Sequence, residues 1–223
     1  MRGKLIVIEG GDGSGKATQT CLLIEKLKNK GKNVISVDFP RYGNWSAVFV
    51  EKYLRGEFGT AKSVNPFVGS IFYALDRYAA SFDIKKLLED GVHVVANRYT
   101  TSNMGHQAGK IKDKKEREKF LKWLEDLEFR IFEIPKPDLV VFLHVPAEIG
   151  QKLVEEKGHR DYIGGDKKDL HEKDINHLKE AEQAYLEVAE KFGWKKIECV
   201  KNGKLLSKED ISERVWKVVE KFL

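Results

Sequence analysis

The segment Leu5-Ile6-Val7-Ile8-Glu9-Gly10-Gly11-Asp12-Gly13-Ser14-Gly15-Lys16 is the most informative stretch of this chain. Its first four residues are apolar and mostly β-branched, which predicts a buried strand, and Leu23, Ile24 and Leu27 mark one face of a helix after it. The connecting residues match G-x-x-x-x-G-K. Glycines let backbone N–H groups line an anion-binding concavity, to which the helix N-terminus adds unpaired donors. The pattern predicts a phosphate-binding loop for a nucleoside triphosphate, with Lys16 reaching the outer phosphates.

The position after this lysine departs from the usual pattern. Ser or Thr usually follows and binds Mg²⁺ through its hydroxyl, but here Ala17 follows, and then Thr18. One step along a helix is a rotation of about 100°, so Thr18 cannot take the place of the missing hydroxyl. The loop therefore lacks its usual direct protein ligand to magnesium.

Strand-like runs alternate with helical patterns along the rest of the chain, which predicts a parallel sheet covered by helices. The predicted strands are 5–8, 34–37, 92–96, 139–145 and 195–200. Helical spacing is clearest in 120–131, in 178–192 and after the capping residue Ser207. These patterns predict an α/β P-loop NTPase fold, with a five-stranded parallel sheet flanked by helices. The polar segment at about 155–174 predicts a short lid within a single domain spanning 1–223.

The composition is that of a globular protein and argues against several classes. The 223 residues are 41% hydrophobic and 34% charged, with a net charge of +5. The longest apolar runs, such as 139–143, are far shorter than the ~20 residues of a membrane helix. Acidic residues interrupt the lysine-rich segment 110–122, so we interpret it as a solvated helix face and expect no nucleic-acid binding. Without a signal-peptide pattern at the N-terminus, we expect a cytoplasmic location.

The two cysteines offer no metal or redox motif. Cys21 and Cys199 have neither a CxxC spacing nor a nearby histidine. Their surroundings are apolar, so both are expected to be buried, reduced thiols. The chemistry of the chain is therefore expected at the phosphate loop.

Four further motifs follow the loop in order. They are Phe39-Pro40-Arg41-Tyr42-Gly43, Ala74-Leu75-Asp76-Arg77, Asn97-Arg98-Tyr99-Thr100-Thr101-Ser102-Asn103 and Ile134-Pro135-Lys136-Pro137-Asp138. With the loop, they make the chain resemble the thymidylate kinase family of P-loop nucleoside-monophosphate kinases over essentially its whole length. The N-K-x-D motif of Ras-like GTPases is absent from the sequence. The resemblance implies ATP-dependent phosphorylation of dTMP to dTDP in dTTP biosynthesis, with Mg²⁺ as cofactor and a homodimeric assembly.

The resemblance also assigns residues to each ligand. ATP would be bound by Gly10, Gly11, Asp12, Gly13, Ser14, Gly15, Lys16, Ala17 and Thr18. dTMP would be bound by Asp12, Phe39, Pro40, Arg41, Tyr42, Tyr73, Arg77, Arg98, Asn103, His106, Gln107 and Glu172. Catalysis would rest on Lys16, Arg98 and Arg160, because the acceptor phosphate attacks directly and no protein nucleophile is required. Asp12 would approach the 3′-hydroxyl or bind the metal, through water.

The residue chemistry agrees with these roles. Arg98 follows the third strand, where open α/β sheets bind ligands, and its planar fork suits a phosphate. Tyr73 and Arg77 are four residues apart and share one helix face. The resemblance implies a ring stacked on thymine and a guanidinium donating to a base carbonyl. Spacing alone also allows a half-buried core tyrosine beside a solvated arginine, and surface ion pairs for Arg41 and Arg98.

Several positions differ from the family pattern. Asn97 stands where the family carries Asp, and Ala17 where it carries Ser or Thr, so we expect an active enzyme that needs more free Mg²⁺. Restoring both residues is expected to lower that need. His106 stands where the family often has an aromatic residue that crowds the sugar. Ser14 is not the arginine that some members carry in the loop, so cationic help is expected from the lid, chiefly Arg160.

Three alternatives stay open at this point. A uridylate or cytidylate kinase would be separated from a thymidylate kinase by a panel of acceptors. A catalytically silent nucleotide-binding protein is favoured by Ala17 and Asn97, and it is opposed by the presence of Lys16, Arg77 and Arg98. A nucleic-acid-binding protein would shift the mobility of DNA or RNA at low salt.

Overall fold

Five parallel strands form the centre of the molecule, in a computed structural model that describes residues 2–60, 63–155 and 175–223. Their order is β2-β3-β1-β4-β5. The strands are β1 (Leu5–Gly10), β2 (Val34–Asp38), β3 (His93–Asn97), β4 (Leu139–His144) and β5 (Lys195–Glu198). The predicted five-stranded parallel sheet is confirmed. The predicted lid lies, apart from Glu155, outside the described residues, and the single-domain organisation over 1–223 stays a prediction.

Helices cover both faces of this sheet. The α-helices are α1 (Lys16–Asn29), α2 (Val48–Leu54), α3 (Pro66–Glu89), α4 (Thr100–His106), α5 (Lys114–Glu125), α6 (Ala147–Glu155), α7 (Ile175–Lys191) and α8 (Lys208–Phe222). Short 3₁₀ helices span Trp45–Ala47 and Ala108–Lys110, and a π-helix spans Asp126–Ile131 directly after α5. Ser207 caps α8 as predicted, because its hydroxyl accepts the Asp210 backbone N–H at 3.0 Å. Of the helices described, none is long and apolar enough to cross a membrane.

The central strand β1 is buried along its entire length. Successive side chains of a strand point to opposite faces, and each face of β1 meets its own helices. Ile6 and Ile8 pack in a cluster with residues of α1 and α8, whereas Leu5 and Val7 pack in a cluster with residues of α3. This double-sided burial explains the continuous apolar run and holds the loop that follows Gly10 at the carboxyl edge of the sheet.

All five strands differ from the predicted bounds by one or two residues at an end, and two of these differences matter most. β3 extends to Asn97, which lies in register with Ile8 of β1 and Asp38 of β2. The fifth strand ends at Glu198, after which β6 (Val200–Lys201) pairs antiparallel with β7 (Lys204–Leu205). The turn between them is Asn202-Gly203, and both residues have positive φ. Asn-Gly is a strong hairpin signal, and the prediction of one strand over 195–200 overlooked it.

The prediction for the two cysteines was right for one and wrong for the other. Cys199 is buried, and burial raises the pKa of its thiol to about 12. Cys21 is exposed. The physical reason is that α1 turns its apolar side, with Leu23 and Leu27, toward the sheet. Neither thiol forms a disulfide.

Candidate active site

A cavity of about 430 Å³ opens where the carboxyl ends of β2 and β3 meet the phosphate loop. Ligands bind at this edge in open α/β sheets. Its walls include fourteen of the predicted site residues: Asp12, Gly13, Gly15, Lys16, Ala17, Phe39, Pro40, Tyr42, Tyr73, Arg77, Arg98, Asn103, His106 and Gln107. The structure therefore brings the two halves of the predicted site, loop and acceptor pocket, into one place.

The phosphate loop depends on glycine at two positions for different reasons. Gly13 has φ of 78°, and a Cβ atom there would lie 2.1 Å from the Gly150 carbonyl oxygen, so α6 leaves no room for a side chain. Gly15 has φ of 83° but open space around it, so its requirement is the left-handed backbone. Lys16 is buried and donates to the Gly11 carbonyl at 2.8 Å. Gly10, Gly11, Ser14 and Thr18 of the predicted ATP set do not line this cavity.

Arg98 joins the loop to the acceptor side. It follows β3 directly and has φ of 67°, a left-handed backbone that non-glycine residues seldom adopt. Its Nη2 donates to the Asp12 carboxylate, and its Nη1 lies 3.4 Å from the Ser102 hydroxyl and 3.3 Å from His106 Nε2. Burial lowers the pKa of this guanidinium, but Asp12 and other neighbours outweigh burial and raise the pKa above its ordinary value. Arg98 is therefore a permanent cation at the point where loop and cavity meet.

A buried carboxylate, Glu9, lies behind Arg98. It is 0% exposed and 3.7 Å from Arg98 Nη1. Its oxygens accept hydrogen bonds from the hydroxyls of Thr101 at 2.6 Å, Ser102 at 2.8 Å and Tyr185 at 3.0 Å. Buried carboxylates are tolerated when they are paired and hydrogen-bonded in this way. Sequence reasoning did not assign Glu9 a role, although a carboxylate at the end of an apolar strand is a visible signal.

Arg77 lies on α3 beside Tyr73, and both line the cavity. The arginine is 2% exposed, and its Nε and Nη2 each donate at 2.6 Å to an oxygen of Glu128, which is 0% exposed. Burial lowers the pKa of Arg77, and Glu128 together with Tyr99 and Asp76 raises it by more, so the net direction is upward. The solvated arginine that spacing alone allowed is excluded.

Three further residues predicted to bind dTMP, Asn103, Gln107 and His106, lie in the wall of the cavity. Asn103 and Gln107 are almost fully buried in the cavity wall, and Asn103 Nδ2 donates to the Ser70 carbonyl at 3.1 Å. His106 lies between Arg98 and His177, with its ring centroid 5.9 Å from that of His177. Burial, the largest cause, lowers the pKa of His106 to about 3, so the imidazole is neutral and its Nε2 accepts from Arg98.

Arg41 does not line the cavity. Its Nε donates to Asp76 at 2.9 Å, its backbone N–H donates to the same carboxylate at 2.8 Å, and Nη2 donates to the Ser46 hydroxyl at 2.8 Å. The carboxylate partner of Arg41, Asp76, is buried and does line the cavity. Arg41 therefore forms an ion pair, but with a carboxylate buried at the wall of the cavity and not at the surface.

A carboxylate that the sequence reasoning missed stands next to Asn97. Asp38, at the end of β2, lines the cavity and accepts from Asn97 Nδ2 at 2.6 Å. Within the described residues, the buried Asn97 Oδ1 has no hydrogen-bond partner. Carboxylate and amide oxygens are ligands that Mg²⁺ accepts. The pair fits a magnesium ion held beside the loop, and the register of β2 with β3 explains why the sequence did not reveal it.

Leu54, Tyr99 and Ser102 also line the cavity and were not predicted to do so. Arg160 and Glu172, predicted for the lid, lie outside the described residues. Within the ranges that the structure describes, no group of three or more His, Cys, Asp or Glu residues is arranged to hold a metal ion.

Comparison with known proteins gives a consistent result. A sequence model described as thymidylate kinase matches residues 8–211. Thymidylate kinase of Mycobacterium tuberculosis is 33% identical over 195 residues, which are 85% of this chain and 87% of that protein. Thymidylate kinase of Caldicellulosiruptor saccharolyticus is 30% identical over 224 residues, covering 100% of this chain and 98% of that protein. The solved thymidylate kinase of Candida albicans superposes with a TM-score of 0.73, covering 99% of this chain and 92% of its own, and at 24% identity it shows the shared fold.

Proposed function

Because this chain belongs to the thymidylate kinase family, whose members are ATP-dependent kinases of dTMP, we propose that the cavity holds dTMP while the phosphate loop holds ATP. The γ-phosphoryl group passes to dTMP and leaves dTDP and ADP. One observation carries the proposal. A single cavity is lined by the loop lysine Lys16, by Arg98, and by the α3 pair Tyr73 and Arg77. A phosphate donor and a pyrimidine acceptor can therefore meet in it.

Transfer in this site depends on positioning and charge. An oxygen of the dTMP phosphate attacks the γ-phosphorus in line, and the bond from that phosphorus to the bridging oxygen of ADP breaks. Lys16 exchanges its Gly11 carbonyl contact for the outer phosphates of ATP. Arg98 exchanges its Asp12 contact for the acceptor phosphate, and both cations neutralise charge on the transferred group. For Arg160 and Glu172, which lie outside the described residues, the sequence predicts a further cation and a contact to the sugar.

The nucleoside is recognised by the far wall of the cavity. The Tyr73 ring stacks on the base, Phe39 and Tyr42 flank it, and Arg77 donates to a base carbonyl. Asn103 offers both a donor and an acceptor at the pyrimidine edge. Arg41 acts through Asp76 rather than on the phosphate, as its four hydrogen bonds to Asp76 and Ser46 support.

Magnesium is the cofactor that this chemistry calls for. The residues that would hold the ion are Asp12 and Asp38, with carboxylate oxygens, and Asn97, with an amide oxygen, all at the cavity wall. When bound, the ion neutralises the charge on the ATP phosphates. With Ala17 in place of a hydroxyl residue, the loop would offer the ion no side-chain oxygen at that position.

A homodimer packed through α3 completes the proposal. Exposed apolar side chains recur along this helix at Val68, Ile71, Leu75, Tyr78 and Phe82, with spacings of three, four, three and four residues. That is the heptad spacing by which two helices pack against each other. Tyr73 and Arg77 lie on the same helix, so dimerisation would stabilise the part of the cavity wall that binds dTMP.

An acceptor panel tests the proposed function. ADP release is measured with ATP, Mg²⁺ and dTMP, dUMP, UMP or CMP in turn. We expect the highest kcat/KM with dTMP, and a Lys16→Met variant serves as the background control. Preference for UMP or CMP would contradict the proposal, and so would ADP release equal to the control with every acceptor.

A further inference from the structure

The guanidinium of Arg77 is held along one edge by a single carboxylate. Nε and Nη2 donate to different oxygens of Glu128, both at 2.6 Å. Within the described residues, the partner of the remaining nitrogen, Nη1, is the Tyr99 carbonyl at the long distance of 3.5 Å. Arg77 lines the cavity and Glu128 does not. A guanidinium group that makes two hydrogen bonds along one edge has a fixed plane. Glu128 therefore determines how the other edge of the Arg77 guanidinium is oriented toward a ligand.

Glu128 is itself fixed from more than one element. It is fully buried in the π-helix Asp126–Ile131, a rare geometry that often marks functional positions. The Thr100 hydroxyl donates to its Oε2 at 2.7 Å, and the Ile134 N–H donates to its backbone oxygen at 3.0 Å. The carboxylate therefore connects α3, α4 and the π-helix behind the cavity wall, and its position is set independently of any ligand.

The other carboxylate near Arg77 is already engaged. Asp76 accepts from Arg41 and from Ser46, the latter at 2.6 Å. Glu128 is therefore the group that orients Arg77. Stability alone does not account for the pair, because replacing a buried ion pair by well-packed apolar residues is often neutral or stabilising. The ion pair supplies a hydrogen-bond donor of fixed direction, which an apolar pair cannot supply.

We propose that Glu128 is the positioning residue through which this site selects a thymine base over a cytosine base. The inference rests on the proposed function, in which Arg77 donates to a base carbonyl. A guanidinium is a donor with no acceptor. Thymine presents a carbonyl oxygen at C4, whereas cytosine presents an amino group whose hydrogens would face the arginine N–H groups. A fixed donor therefore accepts the first base and opposes the second, and a donor that can rotate discriminates less.

Isothermal titration of the full-length protein with dTMP and with dCMP tests this inference, alongside steady-state kinetics with ATP. In Glu128→Gln, one amide oxygen replaces two carboxylate oxygens, and the amide N–H₂ opposes the guanidinium. We expect the Kd and KM for dTMP to rise about ten-fold. The ratio of Kd for dCMP to Kd for dTMP should narrow, and kcat at saturating dTMP should stay within about two-fold of the parent value, since the contact is made equally in ground and transition states.

Two further variants make the result decisive. Glu128→Asp keeps the charge, so its ratio of Kd for dCMP to Kd for dTMP should lie between the ratios of Glu128→Gln and the parent. This outcome separates loss of orientation from loss of packing. If Glu128→Gln does not fold, the comparison of Glu128→Asp with the parent tests the inference. The double variant Arg77→Met with Glu128→Met removes both charges. It should fold, and its ratio of Kd for dCMP to Kd for dTMP should fall toward one. If the double variant narrows the ratio and neither single variant does, the inference about Glu128 is overturned. If the double variant keeps the parent ratio, the proposed role of Arg77 in base recognition is the part that fails.

Discussion

At the scale of single residues, Arg98 combines a left-handed backbone with a side chain held by a carboxylate. Its left-handed backbone costs a non-glycine residue about 1 to 2 kcal/mol. The backbone N–H nevertheless bonds to the Ile8 carbonyl at 3.1 Å, and the side chain is held by Asp12. Conformations of this kind persist where the surroundings over-determine them, and they cluster at functional sites. The strain is consistent with a side chain whose position matters more than the stability it costs.

Replacing Arg98 with alanine and with glycine separates these two effects. Both variants should lower turnover at saturating dTMP by about 100-fold or more, because one preorganised charge is worth several kcal/mol in the transition state. Glycine tolerates the left-handed backbone, so Arg98→Gly should be about 1 kcal/mol more stable than Arg98→Ala. Urea denaturation and steady-state kinetics measure the two quantities. Near-parental turnover in either variant would remove Arg98 from the reaction.

We expect the magnesium requirement to depend on Ala17 more than on Asn97. A threonine at position 17 supplies the missing hydroxyl, so Ala17→Thr should lower severalfold the free Mg²⁺ giving half-maximal rate at fixed ATP and dTMP. Sequence reasoning expects Asn97→Asp to help as well. Asn97 donates to Asp38 at 2.6 Å, and two carboxylates so close raise the pKa of one of them. We therefore expect no added gain from Asn97→Asp. A further decrease in the double variant would show that Asp38 does not already supply this charge.

At the scale of the elements, the backbone of the phosphate loop packs directly against the backbone of α6. A Cβ atom on Gly13 would lie 2.1 Å from the Gly150 oxygen, and one on Gly150 would lie 2.3 Å from the Asp12 oxygen. The loop backbone therefore touches the α6 backbone directly. Gly15, two residues on, has positive φ without such a contact.

This difference predicts unequal costs for two alanine substitutions. Gly15→Ala should lower the free energy of unfolding by about 1 kcal/mol, the cost of a side chain at positive φ. Gly13→Ala carries the same cost and also forces the loop away from α6, which should add about 1 to 3 kcal/mol. Urea denaturation without nucleotide measures both. Equal losses would show that the contact between loop and α6 is not made in solution.

At the scale of the whole molecule, α3 presents a stripe of five exposed apolar side chains, at Val68, Ile71, Leu75, Tyr78 and Phe82. A dimer formed there would bury five exposed apolar side chains of each copy. The same helix carries Tyr73 and Arg77 toward the cavity. Assembly and acceptor binding are therefore expected to be coupled through one element.

A charge placed in the stripe tests this assembly. Leu75→Glu should shift the protein from dimer to monomer in sedimentation velocity and raise the KM for dTMP. Leu205→Glu is the matched control, because Leu205 in β7 is 42% exposed and Leu75 is 38% exposed. The control should leave the sedimentation coefficient unchanged. A monomeric parent protein, or a dimeric Leu75→Glu variant, would contradict packing through α3.

Much of the site could be predicted, because its signals are local. The loop glycines, the Tyr73 and Arg77 pair on one helix face and Arg98 after a strand all depend on short spacings. The carboxylates behind them were missed. Glu128 follows Leu124 by four residues on the same side of its helix, so a charge on an apolar face was visible, but its partner was not.

The amino-acid sequence determined the α/β architecture, the phosphate loop and the residue types of the acceptor pocket, since periodicity and turn chemistry act between near neighbours. The tertiary structure decided which charges meet. Arg77 pairs with Glu128 across 51 positions, Asn97 with Asp38 across 59, and Tyr185 with Glu9 across 176. Electrostatic and hydrogen-bonding energies depend on distance in space, and it is strand register and helix packing that bring such residues to within 3 Å of one another.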